Sequence, residues 1–397
     1  MSFPQDSNSL LWEISGNGLE QPSYLYGTMH VSKKIAFLLD DVFYEALDQS
    51  EVVALESDPA TWLESDTDDS RSGHGFITKG FYTEAFSLRS PDRKDLASLL
   101  ASDDGLVNNI LYRTNEYSQN FEEETYLDMF IYQAGSKFGK PILALEDLEE
   151  SQALVGRASL NAMKRKPDEW LQEKMRQSDL MSLMQDAYRE RNIALLDSID
   201  RAMYTDHYLT NMLYIRNENM ARRLDSAIRK AKVFAGIGAA HLPGDKGVIS
   251  LLEQRGYTLR PLVSQATAEG SRLKDKFDRS FRKPELQAQG PEDGFFSMLL
   301  PHKLYPVAEG QHITYISPDL TNGSYLMVHR IPTYSRINRK AGYTVEDLEG
   351  LLFENIPGRI LEKRRISHQG YQGLDIRNQL KNGDQQRYQI YTTPLEV

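Results

Sequence analysis

Two histidines share a local sequence pattern that would bring imidazole groups to a bound ligand. His30 ends the segment Gly27-Thr-Met-His30, and His241 ends the segment Gly238-Ala-Ala-His241. Each segment follows a short apolar run, so each histidine is expected where a strand passes into a loop. Ligands of α/β proteins bind at the carboxyl ends of the strands. We therefore expect both imidazoles at one edge of a sheet, with each glycine allowing a positive φ and a close backbone approach.

Two glutamates stand in the equivalent position after two other apolar runs. Glu56 directly follows Val52–Leu55, and Glu146 directly follows Pro141–Leu145. A buried carboxylate is costly unless it is solvated, paired or bound to a metal. Because the chain contains no cysteine, any catalytic metal must be held by His, Asp or Glu. Two imidazoles with one or two carboxylates predict a metal site that keeps an open position for water.

A second interpretation of the same four residues needs no shared site. Each histidine would be an ordinary half-buried residue beside a turn glycine, bonded to a backbone carbonyl. Each glutamate would be a surface residue, as most glutamates are. It is the joint occurrence of all four at strand ends that favours the metal site.

Arg216 lies on a predicted helix, 211–232, that carries apolar residues at helical spacing. Met220 is four residues further on and therefore lies on the same face as Arg216. If this face packs inward, Arg216 reaches the rim of the sheet, where it would pair with a site carboxylate or stabilise an oxyanion. The alternative is a solvated arginine that pairs with Glu218 or Asp225.

The elements that would position these residues alternate between strands and helices. Apolar runs predict six strands, at 10–15, 24–29, 52–55, 141–145, 233–237 and 257–263. Gly16-Asn17-Gly18 between the first two is a hairpin signal. Helices are predicted at 41–49 and within the block 168–232. This order predicts an α/β fold with a central mixed sheet and helices.

The amino-acid composition of the sequence changes after about residue 265. We predict a first domain at 1–264, a charged linker at 265–290 and a smaller α+β domain at 291–397. The smaller domain has predicted strands at 295–300, 312–317, 325–331 and 387–392 and a helix near 345–355. It carries no catalytic signature, and because its last strand comes so near Val397 we expect that it is cut short.

Composition excludes several classes of function. The chain of 397 residues has 46 basic and 57 acidic residues, for a net charge of −11, which argues against a non-specific nucleic-acid binder. No run approaches the roughly 20 apolar residues that a transmembrane helix needs. The phosphate-binding and nucleophile-elbow motifs of other enzyme classes are absent from the sequence. Ser2–Asn8 is typical of a linker left after removal of a signal peptide, so we expect the periplasm or cell surface, with the cytoplasm still open.

Taken together, the motifs resemble those of the TraB/GumN family, which is related to the Tiki metalloproteases. The resemblance covers roughly Leu10–Val263. It rests on Tyr24-Leu-Tyr-Gly-Thr-Met-His30, Val53-Ala-Leu-Glu-Ser-Asp58, Lys140-Pro-Ile-Leu-Ala-Leu-Glu146 with Gln152, Arg216-Asn217 with Met220-Ala221, Gly238-Ala-Ala-His-Leu-Pro-Gly244, and Leu252 with Gly256-Tyr257.

The resemblance implies an EreA/ChaN-like fold and a metal-dependent hydrolase, with a peptide or protein as substrate. His30, Glu56 and His241 would hold a divalent ion such as manganese, cobalt or zinc. Glu146 would be the general base and Arg216 the oxyanion stabiliser. The alternative is a non-catalytic protein that binds haem, a metal or a peptide in the same cleft. The C-terminal domain lies outside the resemblance.

Overall fold

The computed structural model describes the chain over eleven ranges of residues. They are residues 8–29, 32–33, 39–61, 124–125, 127–306, 313–330, 344–345, 359–379, 383, 385–394 and 396.

The described residues fall into two compact units. The first consists of the described residues of 1–68, 121–284 and 320–324, and the second consists of those of 285–319 and 325–397. The candidate site residues that the structure describes all belong to the first unit.

A six-stranded mixed sheet forms the centre of the first unit. Its strands are β1 (Leu11–Gly16), β2 (Ser23–Thr28), β4 (Val52–Leu55), β6 (Ile142–Ala144), β7 (Val233–Gly238) and β8 (Tyr257–Leu262), and two short strands, β3 (Ser32–Lys33) and β5 (Glu124–Thr125), pair separately. The order across the sheet is β6-β4-β7-β2-β1-β8. The first four of these are parallel neighbours, whereas β1 is antiparallel to β2 and to β8. The predicted α/β fold with a central mixed sheet is confirmed.

The predicted hairpin joins β1 to β2. Gly16, Asn17 and Gly18 all have positive φ, at 79°, 45° and 80°. Two glycines and an asparagine tolerate this left-handed conformation better than other residues, so the chain reverses here. Leu11 consequently pairs with Tyr26 across the two strands.

Strands β4 and β7 are continuous apolar runs because both faces of the sheet are covered there. Val53, Ala54 and Leu55 of β4 are at most 1% exposed, and every residue of β7 is buried. Phe43 packs edge-on against Tyr26 and Phe234, which joins a helix to two strands of the sheet. Burial on two faces is typical of a parallel sheet.

The helices that the structure describes in the first unit are mostly short. They are α1 (Asp41–Gln49), α2 (Leu127–Lys137), α3 (Leu148–Ser159), α4 (Glu169–Met175), α5 (Leu180–Arg189), α6 (Ile193–Met203), α7 (Asp206–Leu209), α8 (Ile215–Ile228), α9 (Val248–Gln254) and α10 (Ala268–Arg279). A π-helix at Thr210–Tyr214 leads into α8, and 3₁₀ turns lie at Pro59–Thr61 and Ala239–His241. None of the described helices is long and apolar enough to cross a membrane.

Helix α10 occupies much of the segment that the sequence predicts as a linker. Thr267 caps its N-terminus, and Leu273 and Phe277 are buried. Asp41 of α1 accepts hydrogen bonds from the backbone nitrogens of Thr267 and Gly270, at 2.9 and 3.0 Å. These contacts attach α10 to α1. The domain bounds 1–264, 265–290 and 291–397 stay a prediction.

The second unit is rich in antiparallel strands. They are β9 (Gln287–Gln289), β10 (Met298–Leu300), β11 (Tyr305–Pro306), β12 (Ile313–Asp319), β13 (Ser324–Arg330), β14 (Arg359–His368), β15 (Tyr371–Gln379) and β16 (Gln385–Tyr391). In the sheet β14-β15-β16, the carboxylate of buried Asp375 accepts hydrogen bonds from Arg364 and Arg387. These two guanidinium groups lower the pKa of Asp375 to about 2. Most of the helix predicted near 345–355 lies outside the described residues.

Two glycines in helices test the packing of α2 on the sheet. A Cβ on Gly135 of α2 would lie 2.7 Å from Cγ2 of Val53, whereas a Cβ on Gly156 of α3 would have no atom within 4 Å. Because overpacking a core costs about 1–3 kcal/mol, we expect Gly135→Ala to lower the free energy of unfolding by that amount. Gly156→Ala should instead raise it by about 0.5–1 kcal/mol, since alanine favours the helix. Urea unfolding of both variants measures this, and equal effects would contradict the packing described.

Candidate functional site

Glu56 and Glu146 lie side by side at the carboxyl edge of the sheet. Strands β4 and β6 are parallel neighbours, and their pairing continues past the strand ends. The backbone nitrogen of Leu145 donates to Leu55 O at 2.8 Å, and that of Glu146 donates to Glu56 O at 2.9 Å. Both side chains are buried, at 8% exposure. Two carboxylates are thus fixed next to each other by the register of two strands.

The Arg216 guanidinium binds both carboxylates. Its Nε donates to Glu146 Oε1 at 2.7 Å, and its Nη2 donates to Glu146 Oε2 at 2.6 Å. The same Nη2 donates to Glu56 Oε2 at 3.0 Å. A two-pronged pair of this kind fixes the planes of both groups and is stronger than a single contact. Arg216 itself is buried, so it is not the solvated arginine of the alternative interpretation. Glu218 and Asp225 instead pair with Arg255 and Arg229.

The buried position changes the acidity of Glu146. Burial raises the pKa of this carboxyl above its ordinary value, and the charge of Glu56 raises it further. Hydrogen bonds from Arg216 and Ser151 oppose the increase, and the net direction is upward. A carboxylate with a raised pKa is a better proton acceptor near neutral pH.

A π-helix directly precedes Arg216 and shapes the start of α8. The backbone nitrogen of Ile215 donates to Thr210 O, five residues back. Such π segments are rare and are frequently found at functional sites. Both Arg216 and the next residue, Asn217, are buried and make hydrogen bonds to site residues. Neighbouring residues of a helix point about 100° apart, so this part of α8 presents more than one side to the site.

His241 approaches Glu56 from the end of β7. It lies in the 3₁₀ turn that follows the strand and is 5% exposed. Its Nε2 is 3.9 Å from Glu56 Oε1, and its Nδ1 is 2.6 Å from Asn217 Oδ1. The backbone nitrogen of Gly238 donates to Glu56 Oε1 at 2.5 Å. Glu56 is therefore held from two directions, by Arg216 and by the end of β7.

Neither of the two motif glycines has a positive φ, and Gly27 serves close packing. Gly238 has a φ of −51°, and Gly27 is not among the positive-φ glycines. A Cβ on Gly27 would lie 3.1 Å from the Cβ of Ala239, which is tighter than ordinary contact. The expectation of a positive φ at these glycines is wrong, and the close approach of the two motifs explains Gly27.

The structure thus brings four predicted site residues together, namely Glu56, Glu146, Arg216 and His241. His30 lies outside the described residues. Strand β2 ends at Thr28, which pairs with Gly238 of β7, so the chain before His30 runs to the same edge of the sheet. The convergence of His30 with His241 stays a prediction.

Asn217 is a site residue to which the sequence analysis gave no role. It belongs to the motif Arg216-Asn217 of the family resemblance and lies beside Arg216 in the predicted helix, but neither observation assigned it a role. Regular helical periodicity assigns neighbouring residues to different faces, so it did not select both. Ser151, which donates to Glu146 Oε2 at 3.3 Å, was missed as well.

The described nitrogen and oxygen atoms of the site, His241 Nε2 and Glu56 Oε1, are of the types that bind a divalent metal ion. Metal bonds to His nitrogen and carboxylate oxygen are about 2.0–2.2 Å long, so an oxygen and a nitrogen 3.9 Å apart can both reach one ion. Among the described residues, no group of three or more His, Cys, Asp or Glu is arranged to hold a metal. The third ligand of the predicted set is His30, which is not among them.

The fold and the site define an α/β protein with a buried cluster of two carboxylates, a guanidinium and an imidazole at the carboxyl edge of a mixed sheet. The sequence model of the TraB/PrgY/gumN family matches residues 10–261, and the chain belongs to that family. Comparison with curated proteins gave no match, and neither did comparison with solved structures.

Removing the guanidinium should destabilise the protein strongly. Arg216→Met leaves two buried carboxylates without their guanidinium partner. Removing one partner of a buried ion pair lowers the free energy of unfolding by about 3–5 kcal/mol. The control is Arg176→Met, because Arg176 pairs with Glu173 where both side chains are more than half exposed. This exposed pair should contribute less than about 1 kcal/mol. Urea unfolding at pH 7 compares the two, and a similar loss in both variants would contradict the buried cluster.

A buried carboxyl on α6 should make stability depend on pH. Burial raises the pKa of Asp200 to about 7, and the charge of Asp197 adds to the increase. The folded state therefore keeps a proton that the unfolded state loses near pH 4, so Asp200 lowers stability as the pH rises from about 4 to 7.

Asp200→Asn removes this effect. Relative to the wild type, we expect the variant to gain stability between pH 4 and pH 8, by at most about 4 kcal/mol for a shift of this size. Urea unfolding of both proteins across this range provides the measurement. A difference that does not change with pH would contradict the raised pKa.

Proposed function

We propose that this protein is a metal-dependent hydrolase that cleaves peptide bonds. The observation that carries the proposal is the pair formed by His241 Nε2 and Glu56 Oε1, which face each other at 3.9 Å at the carboxyl edge of the sheet. His30 is the proposed third ligand. The choice of a peptide as substrate rests on the resemblance to the Tiki metalloproteases.

Glu56 and His241 would hold the ion with little freedom of their own. Glu56 accepts hydrogen bonds from Gly238 N and Arg216, and His241 is bonded to Asn217. Ligands oriented in this way by neighbouring hydrogen bonds bind metals more tightly. When bound, a divalent ion such as manganese, cobalt or zinc supplies a Lewis acid and lowers the pKa of water toward neutrality.

Glu146 and Arg216 would act as a coupled pair. Glu146 is the proposed general base, and its raised pKa supports proton uptake. A proton on Glu146 removes one of the two negative charges that hold Arg216 and leaves the pair with Glu56 in place. The guanidinium could then donate to the oxyanion that develops on the substrate, which is the role proposed for it. One ion pair would thus link proton transfer to charge stabilisation.

One observation favours a second candidate, a non-catalytic metal- or peptide-binding protein. Both oxygens of Glu146 accept hydrogen bonds from Arg216. A carboxylate engaged on both oxygens must break a strong pair before it can take a proton. A site that only binds its ligand needs no such step.

Metal content and peptide cleavage test the proposal together. We expect the purified protein to bind manganese or zinc and to cleave members of a peptide library. Three variants, His241→Ala, Glu56→Gln and His30→Ala, should each lower metal affinity and cleavage by at least about 100-fold. Removing a metal ligand lowers the metal affinity more than removing a residue that only hydrogen-bonds to a ligand. The control is His207→Ala, since His207 is exposed and bonded to Arg157 O.

The outcomes separate the candidates. Metal binding without cleavage, lost in the same three variants, would support the binding protein over the hydrolase. Variants that fold and bind metal as the wild type does would contradict both candidates. For location, we propose the periplasm or cell surface, which the acidic composition without cysteine supports.

A further inference from the structure

Asn217 forms a bridge between His241 and the loop that follows it. The residue is 2% exposed and lies next to Arg216 at the start of α8. Its Nδ2 donates to Lys246 O at 2.8 Å, and its Oδ1 lies 2.6 Å from His241 Nδ1. A short buried contact of this kind is expected to have a defined donor and a defined acceptor.

The chemistry of the groups determines which atom carries the proton. The carbonyl oxygen of Lys246 can only accept, so the amide nitrogen of Asn217 must face it. The amide oxygen of Asn217 then faces His241, and because this oxygen also only accepts, Nδ1 of His241 must be the donor. In a neutral imidazole the other nitrogen, Nε2, then has the lone pair.

The loop after His241 is built to place the Lys246 carbonyl. A Cβ on Gly247 would lie 2.1 Å from Pro243 O and 2.3 Å from Leu242 O, so only glycine fits where the loop folds back on itself. The ammonium of Lys246 lies over the ring of Tyr214 in the π-helix, 4.6 Å from its centre. Lys246 is thus held through both its backbone and its side chain.

We propose that Asn217 is a positioning residue that fixes His241 as the Nδ1–H tautomer. The lone pair then lies on Nε2, which is 3.9 Å from Glu56 Oε1. Two electron-rich atoms in this arrangement suit a cation that binds both, whereas the opposite tautomer would place a hydrogen there. This inference deepens the proposed function, and it rests on that function only for the identity of the ligand as a metal ion.

Nitrogen-15 NMR of histidine-labelled protein tests the proposal without metal. Spectra at pH 8 in a chelating buffer distinguish the two tautomers, and His241→Ala assigns the His241 signals. We expect the Nδ1–H form in the wild type and in Asn217→Asp, because a carboxylate also accepts from Nδ1, although it cannot donate to Lys246 O. Asn217→Leu should give a mixture of tautomers. Asn219→Leu is the control, since Asn219 lies on the same helix and bonds to Glu150.

The spectra and metal titrations answer separate questions. An Nε2–H form in the wild type would overturn the proposal, even if Asn217→Leu failed to fold, and so would an unchanged tautomer in a folded Asn217→Leu. Titration with manganese should show about 10–100-fold weaker binding in Asn217→Leu, with Asn217→Asp and Asn219→Leu retaining most of the affinity. A wild type that binds no metal but has the Nδ1–H form would refute the proposed function and support the role of Asn217.

Discussion

The Arg216 guanidinium holds two glutamates in a place where neither would stay buried and charged without a partner. Glu56 and Glu146 are brought together by the register of β4 and β6, and both are 8% exposed. Strand pairing therefore places two carboxylates side by side, and a positively charged side chain from α8 compensates their charge. This contact constrains three other features of the fold, namely the π-helix before Arg216, the packing of α8 and the position of β7.

Other features of the site follow from that constraint. With its second oxygen on Arg216, Glu56 presents Oε1 to Gly238 N and to His241. Asn217 follows Arg216 in the chain, so the same turn of helix that supplies the guanidinium also supplies the partner of His241 Nδ1. The charge of the cluster and the orientation of its imidazole are thus set by one short segment of α8.

The sequence predicted the first unit well because its strands are unusually clear. Continuous apolar runs such as Val52–Leu55 mark strands that are buried on both faces, and their ends located Glu56 and Glu146. Asn217 could not be found in this way, because its role depends on a tertiary contact with the Lys246 carbonyl. In the second unit, β14 and β15 were missed: β14 is largely exposed and rich in charged residues, so it lacks an apolar run.

The proposed sharing of one bound ion by His241 and Glu56 is tested most directly by anomalous diffraction. Crystals soaked in manganese and measured at its absorption edge should show one strong peak within bonding distance of His241 Nε2 and Glu56 Oε1. The same map would show whether His30 is the third ligand. A manganese peak elsewhere, with neither of these atoms in contact with the ion, would contradict the account.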